Sequence, residues 1–326
     1  MAAPEPARHR VSAVVLAFNR RDAVAEVLGH LDKLPAVDEV LVIDNGSEDD
    51  TAELVSSWGG KVRLVDAGGN VGIAGRNLGA REATGDLVVF LDDDSYPLPG
   101  AVEALTALFD RVPRLAVAGG LVRDVDPDKR VVLDTQVGTF DWWLRGGATG
   151  DPPAEGFPAF FFPEGACMVR RAAFLEVGGF YEPFFFASVE IDLATRLLSR
   201  GWDVRYLPTA PFDHMKVGTG RTPVHDVLAL RVRNQLWYFW RHFPTGLAVR
   251  RMLAYAAFDL FNVVHRGALG SWRRGVVDAW RQRHLVGADR NPLPREVLHR
   301  AEGRRGRMHA QLLVIRVRER LAKRRA

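Results

Sequence analysis

From Val11 to about Ala118 the chain alternates short apolar runs with stretches in which apolar residues recur every three or four positions. The runs suit strands buried on both faces, and the periodic stretches suit helices laid over them. Val11 to Leu16 (VSAVVL) predicts a first strand and Asp22 to Leu31 a helix. Glu39 to Ile43 (EVLVI) predicts a second strand, after which Ser47-Glu48-Asp49-Asp50 offers a capping serine and acidic residues for a helix start. Val62 to Val65 reads as a third, short strand, and Ile73 to Ala83 as a helix stopped at Gly85. Leu87 to Leu91 (LVVFL) reads as a central buried strand, Leu98 onward as a helix, and Leu115 to Ala118 as another strand. Such alternation predicts an α/β fold, a mostly parallel sheet flanked by helices.

Beyond residue 120 the alternation weakens. The segment Asp134 to Phe162 is rich in Gly, Pro and aromatic residues, including Trp142-Trp143 and Phe160-Phe161-Phe162. These aromatics suit stacking on a ligand ring, contact with lipid, or the core of an insertion. Helical patterns return at Arg171 to Val177 and Glu190 to Arg200, and Trp202 to Leu207 reads as a strand. Past Arg231 the pattern is helical and basic. Three regions result: a flexible N-terminus over 1–10, a catalytic domain over 11–235, and a basic helical C-terminal region over 236–326.

Charge sharpens that division. Residues 236–326 hold 20 Lys and Arg against 6 Asp and Glu, whereas residues 1–235 hold 24 against 34. A basic C-terminal region favours an anionic surface such as a membrane. It does not predict a span: Leu247 to Arg266 contains Arg250, Arg251, Asp259, His265 and Arg266, and a spanning helix needs about 20 mostly uncharged residues. The arginines beside Trp237-Tyr238-Phe239-Trp240 and around Phe258 and Phe261 suit either a helix lying in the membrane interface or packing on the catalytic domain or a second subunit. Residues 1–10 lack the apolar segment of a secretory signal, so a cytoplasmic protein, peripheral on the inner face of the plasma membrane, is expected. Cys167 is the only cysteine, which excludes an intrachain disulfide and a cysteine-based zinc site; it reads as a small buried apolar residue.

Candidate chemistry gathers where ligands bind in open α/β sheets, beyond the carboxyl ends of the strands. Ala17-Phe18-Asn19-Arg20 follows the first predicted strand, Asp44-Asn45-Gly46-Ser47 the second, and Asp92-Asp93-Asp94 the LVVFL strand. Each alone is an ordinary turn composition, but all three share one sheet edge. Three adjacent carboxylates repel one another unless cations or hydrogen bonds offset them. A hard divalent ion such as Mg²⁺ or Mn²⁺ would bridge such carboxylates to phosphate oxygens.

The ordered strings AFNRRD, VIDNGSEDDT and GGNVGIAGRNLGAREATGDLVVFLDDD, followed by GACMVRRAAFLEVGGFYEPFF, VEIDLATRLLSRGWDVRYLP and His214, resemble family 2 glycosyltransferases of the GT-A fold. The resemblance covers roughly residues 11–240. It implies a Rossmann-like α/β domain and an inverting transferase moving a sugar from a UDP-, dTDP- or GDP-sugar to an acceptor hydroxyl. Glycan or lipid-linked acceptors of cell-wall, polysaccharide or glycoconjugate synthesis are the implied partners. Asp44 resembles the carboxylate that contacts the nucleotide base or ribose, with Ala17 and Asn19 lining the same pocket. Arg76 and Asn77 match an Arg-Asn pair beside the nucleotide. Asp92 and Asp94 match the DxD carboxylates: Asp94 would contact metal, Asp92 ribose or metal, with Asp93 between them. His214 matches a histidine that completes the metal or diphosphate contacts. Relatives often read Glu-Asp-x-Asp-Leu where this chain has Val189-Glu190-Ile191-Asp192-Leu193. Residues two apart on a helix point about 200° apart, so Glu190 and Asp192 cannot both face the substrate; the resemblance aligns Glu190 with the general base, with Asp192 the alternative base or a structural residue at the helix start. Glu164-Gly165-Ala166 would border sugar and acceptor.

Two other classes fit less well. A dinucleotide-binding oxidoreductase needs Gly-x-Gly-x-x-Gly after the first strand, where AFNRRD stands. Gly68-Gly69-Asn70-Val71-Gly72 lacks the Lys-Ser/Thr of a P-loop. A catalytically impaired nucleotide-sugar-binding module is the alternative kept open by Val189. No nucleic-acid partner is expected, and a homo-oligomer is compatible with the chain.

Overall fold

The computed structural model of the chain describes residues 8–126, 144–145, 150–215, 223–264 and 267–299. Its elements run β1 (Val11–Ala17), α1 (Arg21–Leu31), β2 (Glu39–Asp44), α2 (Thr51–Trp58), β3 (Val62–Asp66), α3 (Ala74–Glu82), β4 (Leu87–Asp92) and β5 (Ser95–Pro97). After these come α4 (Ala101–Arg111), β6 (Leu115–Val125), β7 (Phe157–Pro158), β8 (Ala166–Arg170), α5 (Arg171–Glu176), a 3-10 turn at Glu182–Phe184, α6 (Val189–Ser199) and β9 (Asp203–Met215). Four helices close the described chain: α7 (Val224–His242), α8 (Thr245–Val264), α9 (Leu269–Arg281) and α10 (His284–Gly287).

The strands form one sheet in the order β3-β2-β1-β4-β8-β6-β9-β5, with β7 on β9. From β3 to β4 every pair is parallel. β8 then runs antiparallel between β4 and β6, and β9 returns parallel to β6. Val88, Val89, Phe90 and Leu91 of β4 are fully buried, as a run flanked on both faces should be. Each such side chain contributes about 1.5–3 kcal/mol by leaving water. One apolar cluster lies on each sheet face: Val14, Leu41, Ile43 and Phe90 pack with α3, α5 and α6, and Val15, Val42 and Val89 with α1 and α4.

Several local readings change. The capping serine expected at Ser47 is not used: α2 begins at Thr51, whose N–H donates to Asp49 (3.1 Å), while the Ser47 hydroxyl accepts from the Asn19 N–H (3.0 Å). The helix expected from Leu98 starts at Ala101, after Gly100 in the left-handed region. Ala166–Arg170 and the second half of β9 are strands that periodicity does not reveal. Phe160, Phe161 and Phe162 are core residues, 5%, 2% and 1% exposed, which removes them as sugar- or lipid-contacting groups. Trp142 and Trp143 lie outside the described residues, as do residues 1–7 of the N-terminal segment.

The C-terminal helices divide into buried and exposed parts. Trp237, Tyr238 and Phe239 of α7 are buried in the main core, so this aromatic run is used for packing. Val249, Leu253 and Phe258 of α8 and Trp280 of α9 stay exposed. Among the described residues no helix is long and apolar enough to cross a membrane. The divide placed at 235/236 falls inside α7, a single helix from Val224 to His242.

Candidate active site

The parallel half of the sheet delivers Ala17, Asp44 and Asp92 to one edge, because β1 pairs Ala17 with Asp44 and Leu16 with Asp92. Ala17 is fully buried and accepts the Asn45 N–H at 2.8 Å. Asp44 is 7% exposed and accepts the Ser47 N–H at 3.1 Å, which turns the chain sharply off β2. Asn19 holds a left-handed φ of 53°, which asparagine tolerates better than most residues. Its Oδ1 accepts the Glu48 N–H at 2.6 Å, tying the β1 and β2 loops together.

The three aspartates have three different surroundings. Asp93 turns away from the edge: its carboxylate accepts Arg20 Nη1 at 2.7 Å and the Phe18 N–H at 3.3 Å. Burial raises its pKa, Arg20 opposes that, and Asp94 and Asp92 add to it, giving about 7. Asp94 Oδ2 shares the same Arg20 nitrogen at 2.7 Å, and its Oδ1 lies 3.3 Å from His214 Nε2. Asp92 is half exposed and pairs with buried Arg76. Gly165 makes room for it, since a Cβ there would overlap the Asp92 carboxylate.

One carboxylate oxygen from each of Asp92 and Asp94 and one ring nitrogen of His214 lie within 4.8 Å of one another. Two oxygens and an imidazole at that separation suit a divalent ion such as Mn²⁺ or Mg²⁺. His214 arrives from β9, in register with Asp124 on β6 and Ser95 on β5. Its Nδ1 lies 2.9 Å from Asp124 Oδ1. When Nδ1–H donates to Asp124, Nε2 is aimed at the cluster, the usual outer-sphere support for a metal-binding histidine. Burial alone would lower the imidazole, but hydrogen bonds to Asp124 and Asp94 outweigh it and raise its pKa to about 9.

Arg76 leads from this cluster towards the opposite wall. It is 1% exposed, paired with Asp92 and 3.9 Å from Glu164. Its neighbour Asn77 faces elsewhere: its amide donates to Phe180 O at 2.8 Å and accepts the Phe180 N–H at 2.7 Å, which pins the turn after α5. Beyond Arg76, Glu164 and Glu190 are hydrogen-bonded to each other. Burial raises both carboxyls, and the charge of Glu190 raises Glu164 further.

Two residues on, Asp192 faces the other way. It is fully buried and accepts from Arg196 (2.8 Å), His242 (2.7 Å) and Arg241. Burial would raise its pKa, but Arg196, Arg241 and His242 hold it well below the usual aspartate range. Since the native pKa is depressed, its stabilisation is complete above the ordinary aspartate value and is lost as pH falls below it. Asp192→Ala strands two arginines and should cost about 3–5 kcal/mol. A fall in the urea midpoint at pH 7 that narrows as pH drops below the ordinary aspartate range checks this; an unchanged midpoint refutes it.

Asp124 joins the site without having been singled out from the sequence, and Arg20 and Glu164, read there only as part of a strand-end loop and of the sugar and acceptor border, gain specific partners. Asp124 and Glu164 are brought in by the pairing of β6 with β9 and by the approach to β8.

A Rossmann-like sheet with Asp44 at one strand end and a DxD-histidine cluster beside it has the form of a GT-A glycosyltransferase. The chain belongs to glycosyl transferase family 2, whose profile matches residues 12–178. It is 32% identical over 232 residues to the N-acetylglucosaminyl-diphospho-decaprenol L-rhamnosyltransferase of Mycobacterium tuberculosis, covering 62% of this chain and 75% of that one. Its fold is similar to GalNAc-T7 with UDP, GalNAc and Mn²⁺, with a TM-score of 0.57 at 15% identity. That match covers 73% of this chain and about half, 48%, of GalNAc-T7. The mannosyltransferase PcManGT from Pyrobaculum calidifontis, in complex with GDP-Man and Mn²⁺, matches with a TM-score of 0.54 at 19% identity, over 94% of this chain and 85% of that one. The chain is therefore a glycosyltransferase with a GT-A fold and a helical C-terminal extension.

Proposed function

We propose that the chain is an inverting, divalent-metal-dependent transferase that moves a sugar from a nucleotide-diphosphate sugar to an acceptor hydroxyl. The convergence of Asp92, Asp94 and His214 at the sheet edge that carries Asp44, with Glu164 and its hydrogen-bonded partner Glu190 across Arg76, carries the reading. Asp44, Ala17 and Asn19 would hold the nucleoside. Asp92, Asp94 and His214 would hold Mn²⁺ or Mg²⁺, which when bound offsets charge on the departing diphosphate. Arg20 and Arg76 hold the aspartates in place, and Arg76 keeps Asp92 apart from Glu164. Glu190 takes the proton of the acceptor hydroxyl as that oxygen bonds to the anomeric carbon. The C1–O bond breaks on the opposite face, and its electron pair leaves with the nucleoside diphosphate.

The mycobacterial relative makes an L-rhamnosyl donor and a polyprenyl-diphosphate-linked sugar acceptor the first combination to assay. Donors from the UDP-, dTDP- and GDP-sugar classes, incubated with Mn²⁺ and acceptor, should yield one product whose anomeric NMR coupling is inverted relative to the donor. A retained anomer overturns the mechanism, and turnover unaffected by chelation overturns the metal requirement.

A lipid-linked acceptor would place the enzyme at a membrane face. The exposed Val249, Leu253, Phe258 and Trp280 and the basic balance of residues 236–326 support peripheral binding to anionic lipid. Deleting residues 291–326, with 11 basic and 3 acidic residues, should reduce flotation with anionic vesicles at low salt. Equal flotation would assign that tail to packing.

A further inference from the structure

Glu190 lies two residues beyond a backbone segment that is not a relaxed conformation for its sequence. Phe185, Ala187 and Ser188 have φ of 62°, 64° and 58°, and none is glycine. Phe185 (φ 62°, ψ −53°) sits at the centre of a three-residue turn closed by Phe186 N–H donating to Phe184 O at 2.6 Å. Such γ-turns are rare and strained, and left-handed non-glycine residues persist only where their surroundings over-determine them. Here Ser188 leads directly into α6, so its backbone sets where the first turn of that helix, and with it Glu190, points.

Two adjacent side chains of α7 meet this segment. Asn234 is fully buried, and its Nδ2 lies 3.0 Å from Phe184 O, 2.6 Å from Phe186 O and 2.8 Å from Ala187 O. Arg233 donates Nε to Asn234 Oδ1 at 3.0 Å, which fixes the amide with its N–H groups towards the segment. The same guanidinium donates to Phe184 O at 2.9 Å and to Gln282 at 3.0 Å, and lies 4.4 Å from the Trp237 ring. On the donor side the Ile73 N–H donates to Phe185 O at 2.7 Å, and Gly72 leaves the space that the Phe185 ring occupies. The segment is thus held between the start of α3 and the middle of α7.

We infer that Asn234, oriented by Arg233, is a positioning residue for Glu190: its amide holds the Phe184–Ser188 turn in the one conformation that aims the base at the acceptor. This rests on the assignment of Glu190 as base. The chemistry demanded of residue 234 is specific, namely two N–H donors facing carbonyl oxygens. A carboxylate of the same shape would meet those oxygens with repulsion.

The test compares Asn234→Asp, Glu190→Gln and the double variant in the full chain with Mn²⁺. Asn234→Asp should lower kcat on the order of 100-fold, the scale of an ångström's misplacement. Its Mn²⁺-dependent nucleotide Kd should stay within about threefold of wild type, because the donor cluster is untouched. In the Glu190→Gln background the same change should cost less than about threefold, since the group it aims is already disabled. Arg233→Met, which keeps an apolar stem beside Trp237, should show the same pattern at about tenfold and serves if Asn234→Asp does not fold. Near-normal kcat in Asn234→Asp and Arg233→Met, or equal losses with and without Glu190, overturns the inference alone. Near-normal turnover by Glu190→Gln overturns the base assignment, and the inference with it.

Discussion

Glu190→Gln is expected to lower kcat by about 10²–10⁴-fold while leaving nucleotide and metal binding intact, the range that removal of a general base produces. The amide keeps the size of the side chain and its place beside Glu164 but cannot accept a proton. Burial raises the Glu190 carboxyl, a hydrogen bond from Glu164 partly opposes that, and the net shift is upward. Because the active form is the carboxylate, kcat should rise with pH through that raised value. The acid limb of the wild-type profile therefore lies above the ordinary glutamate range, and it should vanish from the residual activity of the variant. A wild-type rate, or an acid limb at the position of a free glutamate, refutes the assignment.

Asp94→Ala should be at least as severe, on the order of 10³-fold or more, because it disturbs two functions together. It removes a carboxylate oxygen from the Asp92–Asp94–His214 cluster and frees one of the two acceptors of Arg20 Nη1. Nucleotide binding measured by calorimetry should lose its dependence on Mn²⁺. Wild-type activity should disappear with chelator and return with added Mn²⁺ or Mg²⁺. Asp93→Asn offers the contrast: Asp93 faces Arg20 and the Phe18 N–H, so its loss should weaken the scaffold more than the cation site. Full activity of Asp94→Ala in chelator would remove metal from the mechanism.

The parallel half of the sheet was legible because strands buried on both faces announce themselves as uninterrupted apolar runs, and VSAVVL, EVLVI and LVVFL all emerge as neighbours. The convergence of Ala17, Asp44 and Asp92 at one edge follows directly from that parallel register. β8 was not legible, since Ala166–Arg170 is short and follows a stretch dominated by Gly, Pro and Phe. Neither was the role of Asp124, which reaches His214 across 90 residues through strand register alone. Glu164 was placed only at the border of sugar and acceptor, because nothing in its local sequence signals the approach of Glu190 from the start of α6. The separate surroundings of Asp92, Asp93 and Asp94 depend on where Arg20 and Arg76 arrive, which adjacency in sequence does not encode.

Helix α7 has a practical consequence for engineering acceptor choice. Exchanging C-terminal segments between relatives is the natural way to graft one acceptor preference onto another donor site. A junction at residue 235 would keep Arg233 and Asn234 with their own turn but replace Arg241 and His242, the partners of buried Asp192. Such a chimera would inherit a base helix with a stranded charge beneath it. The crossover belongs after His242, where α7 gives way to α8.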